Sequence, residues 1–518
     1  MHTQAGSLLD IEASVRCMFG SADRVGTDEW HNRLGSDLVL VSNRQPYRHT
    51  REDGEIEVDR PGGGLVAALD PVMQAVGGTW IAWGDGEADM AATDEEQCVG
   101  VPPENPAYTL RRVDLEDELV AGYYDGYANQ SLWPLCHSVT GPMRFDRDHW
   151  RRYREANERF ATAAARTAEP GSTVWLQDYH FGLAPRMVAD RTTAMVMQFW
   201  HVPWPAPDVF RVCPHHEELL GGLLGNDLLC FHLERYSSNF LDCVDRLLPE
   251  AAVDQYAGTV THEGSVTRVR SYPLGVDVED LAAHARRSDP SASSFRPAHD
   301  IDEDQRLLLG VDRLDYTKGI PERLAALERL WERDPDRRGD FTYVQKGVPT
   351  RERVPAYRRH QHRIEGIIER INDRFGTSTW QPVVQSTEYL DREALCGLYR
   401  AADIALVTPV RDGMNLVAQE YVACQVDTDG VLVCSEFAGV HELFGSHALS
   451  VNPYATDDLA DAIVRALDMG DDERRRRLAG LAEQVRRIDI TEWLASVLTE
   501  ASTVRTERAI GAQDRSLA

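Results

Sequence analysis

The sequence predicts an α/β protein built as two parallel-sheet domains, and three observations predict it. At 518 residues the chain exceeds what one hydrophobic core serves, so two domains are the expectation. Short apolar runs alternate with longer helical stretches through most of its length, the pattern of parallel strands covered by helices on both faces. These runs fall into two series, which part near Pro273-Leu274-Gly275-Val276-Asp277.

The first series places strands at Leu38 to Val41, Val174 to Leu176, Ala194 to Phe199 and Leu228 to Phe231. The second follows Tyr272, with strands at Arg306 to Val311, Thr342 to Gln345, Ile404 to Val407, Val431 to Cys434 and Leu449 to Val451. Each series reads as a Rossmann-like domain, residues 36–275 and 276–485, and the two are expected to face each other across a cleft. Residues 1–35 read as a poorly packed extension and Arg287 to Asp304 as a solvated loop. The polar tail, residues 503–518, is expected to fray.

Composition removes several function classes. With 84 acidic against 55 basic residues the formal net charge is −29, which repels polyanions and makes nucleic acid a poor partner. No apolar run approaches the roughly 20 residues of a membrane span, and no basic stretch followed by an apolar one marks the N-terminus. The nine cysteines are scattered without a C-x-x-C pair, as expected of free thiols in a reducing cytoplasm. Only Lys318 and Lys346 are lysine, and an acidic, arginine-over-lysine surface is expected of a salt-loaded cytoplasm. A high-GC genome would explain the missing lysine but not the excess of acid.

The sharpest segment is Arg313-Leu-Asp-Tyr-Thr-Lys-Gly-Ile-Pro-Glu-Arg323, which follows an apolar strand and opens a helix with Pro321 in its first turn. Such a junction presents unpaired backbone amides and a positive helix end, and Arg313 with Lys318 turns it into a pyrophosphate pocket. A surface ion pair on an ordinary loop is the plainer alternative. The second segment, Arg411-Asp-Gly-Met-Asn-Leu-Val-Ala-Gln-Glu420, also follows an apolar strand. There Gly413 allows close backbone approach, the amides around Met414, Asn415 and Leu416 can meet phosphate or sugar, and Asp412 and Glu420 can accept from sugar hydroxyls. Together the two segments suit a sugar nucleotide.

R-L-D-Y-[ST]-K-G and R-D-G-M-N-L-V-A-x-E-Y resemble the donor-site motifs of the trehalose-6-phosphate synthase family. Further similar segments are V-S-N-R at Val41 to Arg44, G-G-L at Gly63 to Leu65, Y-x7-L-W-P from Tyr124 to Pro134, D-Y-H at Asp178 to His180 and H-V-P-W-P at His201 to Pro205. P-T-R at Pro349 to Arg351, S-E-F-A-G at Ser435 to Gly439 and V-N-P-Y at Val451 to Tyr454 extend the likeness to the second half. The resemblance implies a retaining GT-B glycosyltransferase with two Rossmann-like domains, whose last helix, within 486–502, crosses back to the first domain. It also implies roles. Arg313 and Lys318 would hold the donor pyrophosphate, Glu420 the ribose, and Asp412 and His201 the transferred glucose, with Gly64 in a loop closing on the donor. Arg44 and Arg351 would grip the acceptor's phosphate, while Trp83, Tyr124, Trp133 and Asp178 position its sugar ring and attacking hydroxyl. A core role is the alternative for the two tryptophans. No carboxylate nucleophile is obvious, and a pyrophosphate departs readily once cations and amides stabilise its charge. His201, Asp178, Arg313 and Lys318 would therefore act by orientation and charge stabilisation.

The expected reaction is glucosyl transfer from UDP-glucose to glucose 6-phosphate in the cytoplasm, with no metal or other cofactor. Glycerol 3-phosphate is the rival acceptor, an amino-cyclitol phosphate a further one, and a catalytically silent regulatory relative is the rival from another class. Such a relative would be expected to lose site charges, yet Arg44, Arg313, Lys318, Arg351, Asp412 and Glu420 are all present. Homo-oligomer formation stays open. Gln177 stands where a histidine is expected before D-Y-H, and Gln419 where a lysine is expected before Glu420. The wording from Ser42 to Arg48 also departs from the common pattern beside the acceptor site. Two signals are declined: Asp427-Thr-Asp-Gly-Val431 precedes its strand where an aspartyl-phosphate nucleophile would end one, and His215-His-Glu-Glu218 lacks zinc-ligand spacing.

Overall fold

The structure, a computed structural model, describes residues 37–60, 64–288, 296, 301–302, 305–427 and 430–517. The predicted N-terminal extension, Gly63 and most of the 287–304 loop lie outside them. The chain forms two compact units, one running to Pro273 and resuming at Trp493, the other spanning Leu274–Glu492.

In the first unit the strands are β1 (Leu38–Ser42), β2 (Arg48–Glu52), β3 (Glu55–Asp59), β4 (Thr79–Trp83), β5 (Cys98–Val101), β6 (Tyr108–Val113), β7 (Thr173–Gln177), β8 (Met195–Phe199), β9 (Leu228–Phe231), β10 (Ala252–Asp254), β11 (Thr259–His262) and β12 (Ser265–Ser271). Ten of them make one sheet in the order β10-β11-β12-β9-β8-β7-β1-β4-β6-β5. From β12 through β6 every neighbouring pair is parallel, and antiparallel strands finish both edges. The inner strands β1, β7, β8 and β9 are buried at every position, which is why they read as continuous apolar runs.

Four kinds of element differ from the sequence reading. β4 is a short aromatic run, and β6 carries Arg111 and Arg112 in its middle, so neither has the plain apolar signature. The hairpin β2–β3 is polar, and only its Asp53-Gly54 turn, with φ of 50° and 88°, could have announced it. Ala121–Leu132 forms a π-helix. Finally, the last helix spans Ile490–Leu517 and so takes in the predicted tail as far as Leu517. Tertiary partners hold it. Trp493 packs on Trp175 and Phe199, Glu500 accepts from Arg268 and Arg270 at 3.1 Å each, and Arg508 reaches Asp227 at 2.6 Å.

The second unit has β13 (Arg306–Arg313), β14 (Phe341–Val348), β15 (Val383–Ser386), β16 (Ile404–Val407), β17 (Val431–Ser435) and β18 (Leu449–Val451). They form an all-parallel sheet in the order β15-β14-β13-β16-β17-β18. This is the Rossmann order, whose direction reverses between β13 and β16, and the crevice beyond the carboxyl ends of such strands is where ligands bind. Alternate residues feed two cores, Leu307, Leu309, Ala405 and Val407 into one and Leu308, Ile404 and Leu406 into the other. No helix among the described residues is long and apolar enough to cross a membrane.

Candidate active site

In the second unit the two segments singled out in the sequence lie at the topological switch point. Arg313 ends β13, and the 408–415 turn follows β16. The two loops meet backbone to backbone: Val410 N–H donates to the Thr317 carbonyl at 2.9 Å, and a Cβ at Gly319 (φ 67°) would strike the Thr408 carbonyl, so only glycine fits there. Lys318 Nζ lies 2.6 Å from Asp412 Oδ2, which also accepts from Asn415 Nδ2 at 3.0 Å. Asn415 in turn caps the helix Leu416–Cys424 through Ala418 N–H. Gly413 sits under Gly439, whose own side chain would collide with it, and the Met414 carbonyl accepts from Val440 N–H at 2.7 Å while its thioether fills the core. A cation, a carboxylate and the first-turn amides of a helix starting at Leu416 are thus gathered on one ledge. Glu420, deeper on that helix, accepts from the Tyr399 hydroxyl at 2.8 Å; burial raises its carboxyl above the usual range, and Tyr399 and Arg392 oppose that rise.

Beneath the ledge lies a network the sequence reading did not find. The fully buried Arg323 donates to Asp312 at 2.8 Å, Tyr343 at 2.8 Å, Thr408 at 2.9 Å and Gln345 at 3.2 Å, joining β13, β14 and the turn after β16. Asp315, within the first motif, is buried and receives Thr317 N–H at 3.0 Å and Arg351 Nη1 at 3.0 Å. Burial alone would raise its carboxyl, but the Arg351 and Arg313 guanidiniums outweigh it and hold Asp315 at about 2. Arg351 also bonds the Tyr357 hydroxyl and is wound at φ 49°, a conformation L residues rarely adopt. The P-T-R segment is therefore tied to the loop after β13. Gln419 is fully buried and donates to the Leu274 carbonyl at 3.1 Å.

The first unit presents its residues at the carboxyl ends of β1, β4, β7 and β8. Arg44 is exposed between two buried neighbours: Asn43 accepts from Tyr123 at 2.8 Å, and Gln45 bonds Asp85, Asp89 and Arg112. Arg112 is fully buried and ion-paired with Asp89 at 3.1 Å, so the unusual wording after S-N-R is held by a pair reaching across from β6. Trp83, half-buried at the end of β4, has its ring 6.1 Å from Tyr124. Tyr124 stacks on His180 at 5.8 Å, and Trp133, 6% exposed, lies 5.7 Å from Tyr179. The π-helix explains how both reach consecutive residues. Nine positions span two and a half turns of an α-helix, which would point them apart, but Tyr124 lies in the wider-wound π-helix that ends at Leu132, immediately before Trp133.

Asp178 follows β7 at φ 71° and accepts from Tyr179 N–H at 2.9 Å and His201 N–H at 3.1 Å. Strained backbone of this kind collects at functional sites, and Asp178, Arg351 and Asn415 all show it. His201 follows β8; burial and the neighbouring His232 push its imidazole well below the usual range. Gly64 opens the helix Gly64–Val76. His215, declined as a ligand, stacks on Trp150 at 4.1 Å. Among the described residues no three His, Cys, Asp or Glu side chains gather to hold a metal.

Residues 36–503 match the family model of Glycosyltransferase family 20. The chain is 38% identical over 476 residues to the trehalose-6-phosphate synthase of Mycolicibacterium vanbaalenii, covering 90% of this chain and 95% of that one. Its fold is similar to that of "Trehalose-6-phosphate from E. coli bound with UDP-2-fluoro glucose", with a TM-score of 0.80 and 32% identity over 90% of this chain and 99% of the other. It is similar too to the UDP-forming alpha,alpha-trehalose-phosphate synthase of Burkholderia xenovorans in complex with glucose-6-phosphate, with a TM-score of 0.79 and 31% identity over 90% and 99%.

Proposed function

Because the chain belongs to glycosyltransferase family 20, we propose that it transfers glucose from UDP-glucose to glucose 6-phosphate, releasing UDP and forming trehalose 6-phosphate with the α configuration retained. One observation carries the assignment of the donor site, the 2.6 Å bond between Lys318 and Asp412. It puts a cation and a carboxylate side by side at the switch point, which supports phosphate for the one and sugar for the other. Arg313 and Lys318 take the charge that grows on the β-phosphate, the helix start at Gly413 to Leu416 adds amides, and Glu420 accepts from the ribose. Asp412 and His201 hold the transferred glucose. Gly64, which opens a helix where a loop was expected, stands on the donor side.

On the acceptor side Arg44 and Arg351 take the phosphate, and Trp83, Tyr124, Trp133 and Asp178 orient the ring. The acceptor hydroxyl attacks the anomeric carbon on the face the UDP leaves. The bond from that carbon to the phosphate oxygen breaks, and the hydroxyl proton passes to that oxygen. Asp315 positions Arg351, and Arg323 positions both donor loops. The relatives' names favour the sugar phosphate over glycerol 3-phosphate as acceptor. Reaction in a cytoplasm rich in salt accords with the charge of −29 and with the free cysteines of the described residues.

Purified protein given UDP-glucose with glucose 6-phosphate in concentrated salt is expected to release UDP and yield a phosphorylated, non-reducing disaccharide. Glycerol 3-phosphate is expected to react poorly, and a chelator to leave the rate intact. Preference for glycerol 3-phosphate, or loss of activity with chelator, would overturn the corresponding assignment.

A further inference from the structure

Gln177, the residue that departs from the expected histidine, ends β7 and pairs in register with Phe199 at the end of β8. Its side chain is 1% exposed, and its Oε1 lies 2.9 Å from His201 Nε2. His201 is fastened on its other sides. Its N–H donates to Asp178 Oδ1 at 3.1 Å, its ring stacks on Phe199 at 4.5 Å, and His232 and Trp493 close round it at 5.2 and 6.5 Å. Among the described residues Nδ1 makes no hydrogen bond.

Amide chemistry converts this placement into a statement about a proton. A carbonyl oxygen only accepts, so the ring nitrogen opposite it carries the hydrogen, and in a neutral imidazole the other nitrogen then holds the lone pair. An amide turned end for end would donate to Nε2 and put the proton on Nδ1, so the two arrangements are experimentally distinct. Glutamine also carries no charge at any pH. A carboxylate in its place would favour the imidazolium, and an imidazole would itself titrate. The groups that can charge beside His201 are His232 against its ring and Asp178 at its backbone N–H.

We propose that Gln177 is a positioning residue for the transfer: it holds His201 as the neutral Nε2–H tautomer, so that Nδ1 is presented as acceptor to a hydroxyl of the bound glucose. This rests on the glucose-binding role given to His201 above. Burial and His232, which both disfavour the charged ring, act in the same direction. The contact is then constant through the working pH range, where an imidazole partner would make it vary.

Nitrogen-15 NMR of the full chain labelled at histidine, with the His201→Asn variant for assignment, reads the tautomer directly. Between about pH 6 and 8 the expected spectrum has a protonated Nε2 and a bare Nδ1 that does not titrate. Gln177→Met, which keeps the bulk and removes the acceptor, is expected to raise KM for UDP-glucose about tenfold with a smaller change in kcat. Gln177→Glu is expected to raise the His201 pKa and bring an acid limb into the kcat/KM profile for the donor, while Gln177→His, which can also accept, recovers most of the rate. A proton on Nδ1, or a Gln177→Met enzyme with unchanged KM and pH profile, overturns the proposal. Normal turnover with a proton on Nδ1 sinks only the role of Gln177, whereas wild type that forms no trehalose 6-phosphate sinks the functional reading as well. If Gln177→Met fails to fold, the wild-type spectrum still decides.

Discussion

The strand ends of the two units carry the proposed site residues by different means. In the second unit three charges are matched by others: Lys318 by Asp412, Arg351 by Asp315, Arg323 by Asp312. In the first, rings do most of the work, with Tyr124 on His180, Trp133 beside Tyr179 and His201 on Phe199, while Arg44 extends outward. The contrast follows from what each ledge is proposed to hold. A pyrophosphate demands cations that must stay in place before it arrives, and partner carboxylates do that. A sugar ring demands shape and directed hydroxyl contacts, which stacked rings and strained turns supply.

The sharpest way to break the comparison is at the buried pairs. Arg323→Met leaves Asp312 unpaired in the core and is expected to cost about 3–5 kcal/mol of stability, read by chemical denaturation. A loss within 0.5 kcal/mol, on the order of an ordinary surface change, would mean the pairing is incidental. Next come the two cations at the ledge. Lys318→Ala is expected to weaken UDP binding by about 1.5–3 kcal/mol, and Arg351→Ala to lower acceptor kcat/KM by a similar amount while UDP binding holds. Because Arg351→Ala also removes the guanidinium paired with the buried Asp315, the Asp315→Asn/Arg351→Ala double variant should regain stability without regaining preference for the phosphorylated sugar. Equal loss of UDP and acceptor affinity in Arg351→Ala would remove that residue from the acceptor site.

Smaller still is an acid effect confined to the second unit. The folded Asp315 carboxyl lies at about 2, below its unfolded value, so the stability it lends is present above the ordinary carboxylate range and is lost as pH falls toward 2. Asp315→Asn should lack that component, and superimposable acid-melting curves for mutant and wild type would rule it out. The effect smallest per residue is that of salt. With a net charge of −29, screening of self-repulsion should raise the melting temperature steadily with salt. A melting temperature that ignores salt would end the expectation of a salt-loaded cytoplasm.

What the sequence determined by itself is the local chemistry. Strands buried on both faces are mostly apolar, so β1, β7, β8, β9 and the β13 and β16 runs were legible, and Arg313, Lys318 and Asp412 stand at or just beyond their ends, where strand-loop-helix junctions expose amides. The tertiary structure alone decided pairings between distant positions. Arg351 finds Asp315 36 residues away, Gln45 finds Arg112 across 67, and Gln177 meets His201 because β7 and β8 end in register. Period also hid from the sequence, since an α-helical count sends Tyr124 and Trp133 to opposite sides, whereas with the π-helix before Trp133 they pack on the consecutive residues His180 and Tyr179. The last helix gave no apolar stripe to read; it is ordered by what it touches, Trp175, Arg268 and Asp227, and those contacts exist only once the sheet is built. Apolar burial and turn chemistry act along the chain and leave a trace in it, whereas a hydrogen bond or ion pair between far residues depends on strand order and register that local sequence does not encode.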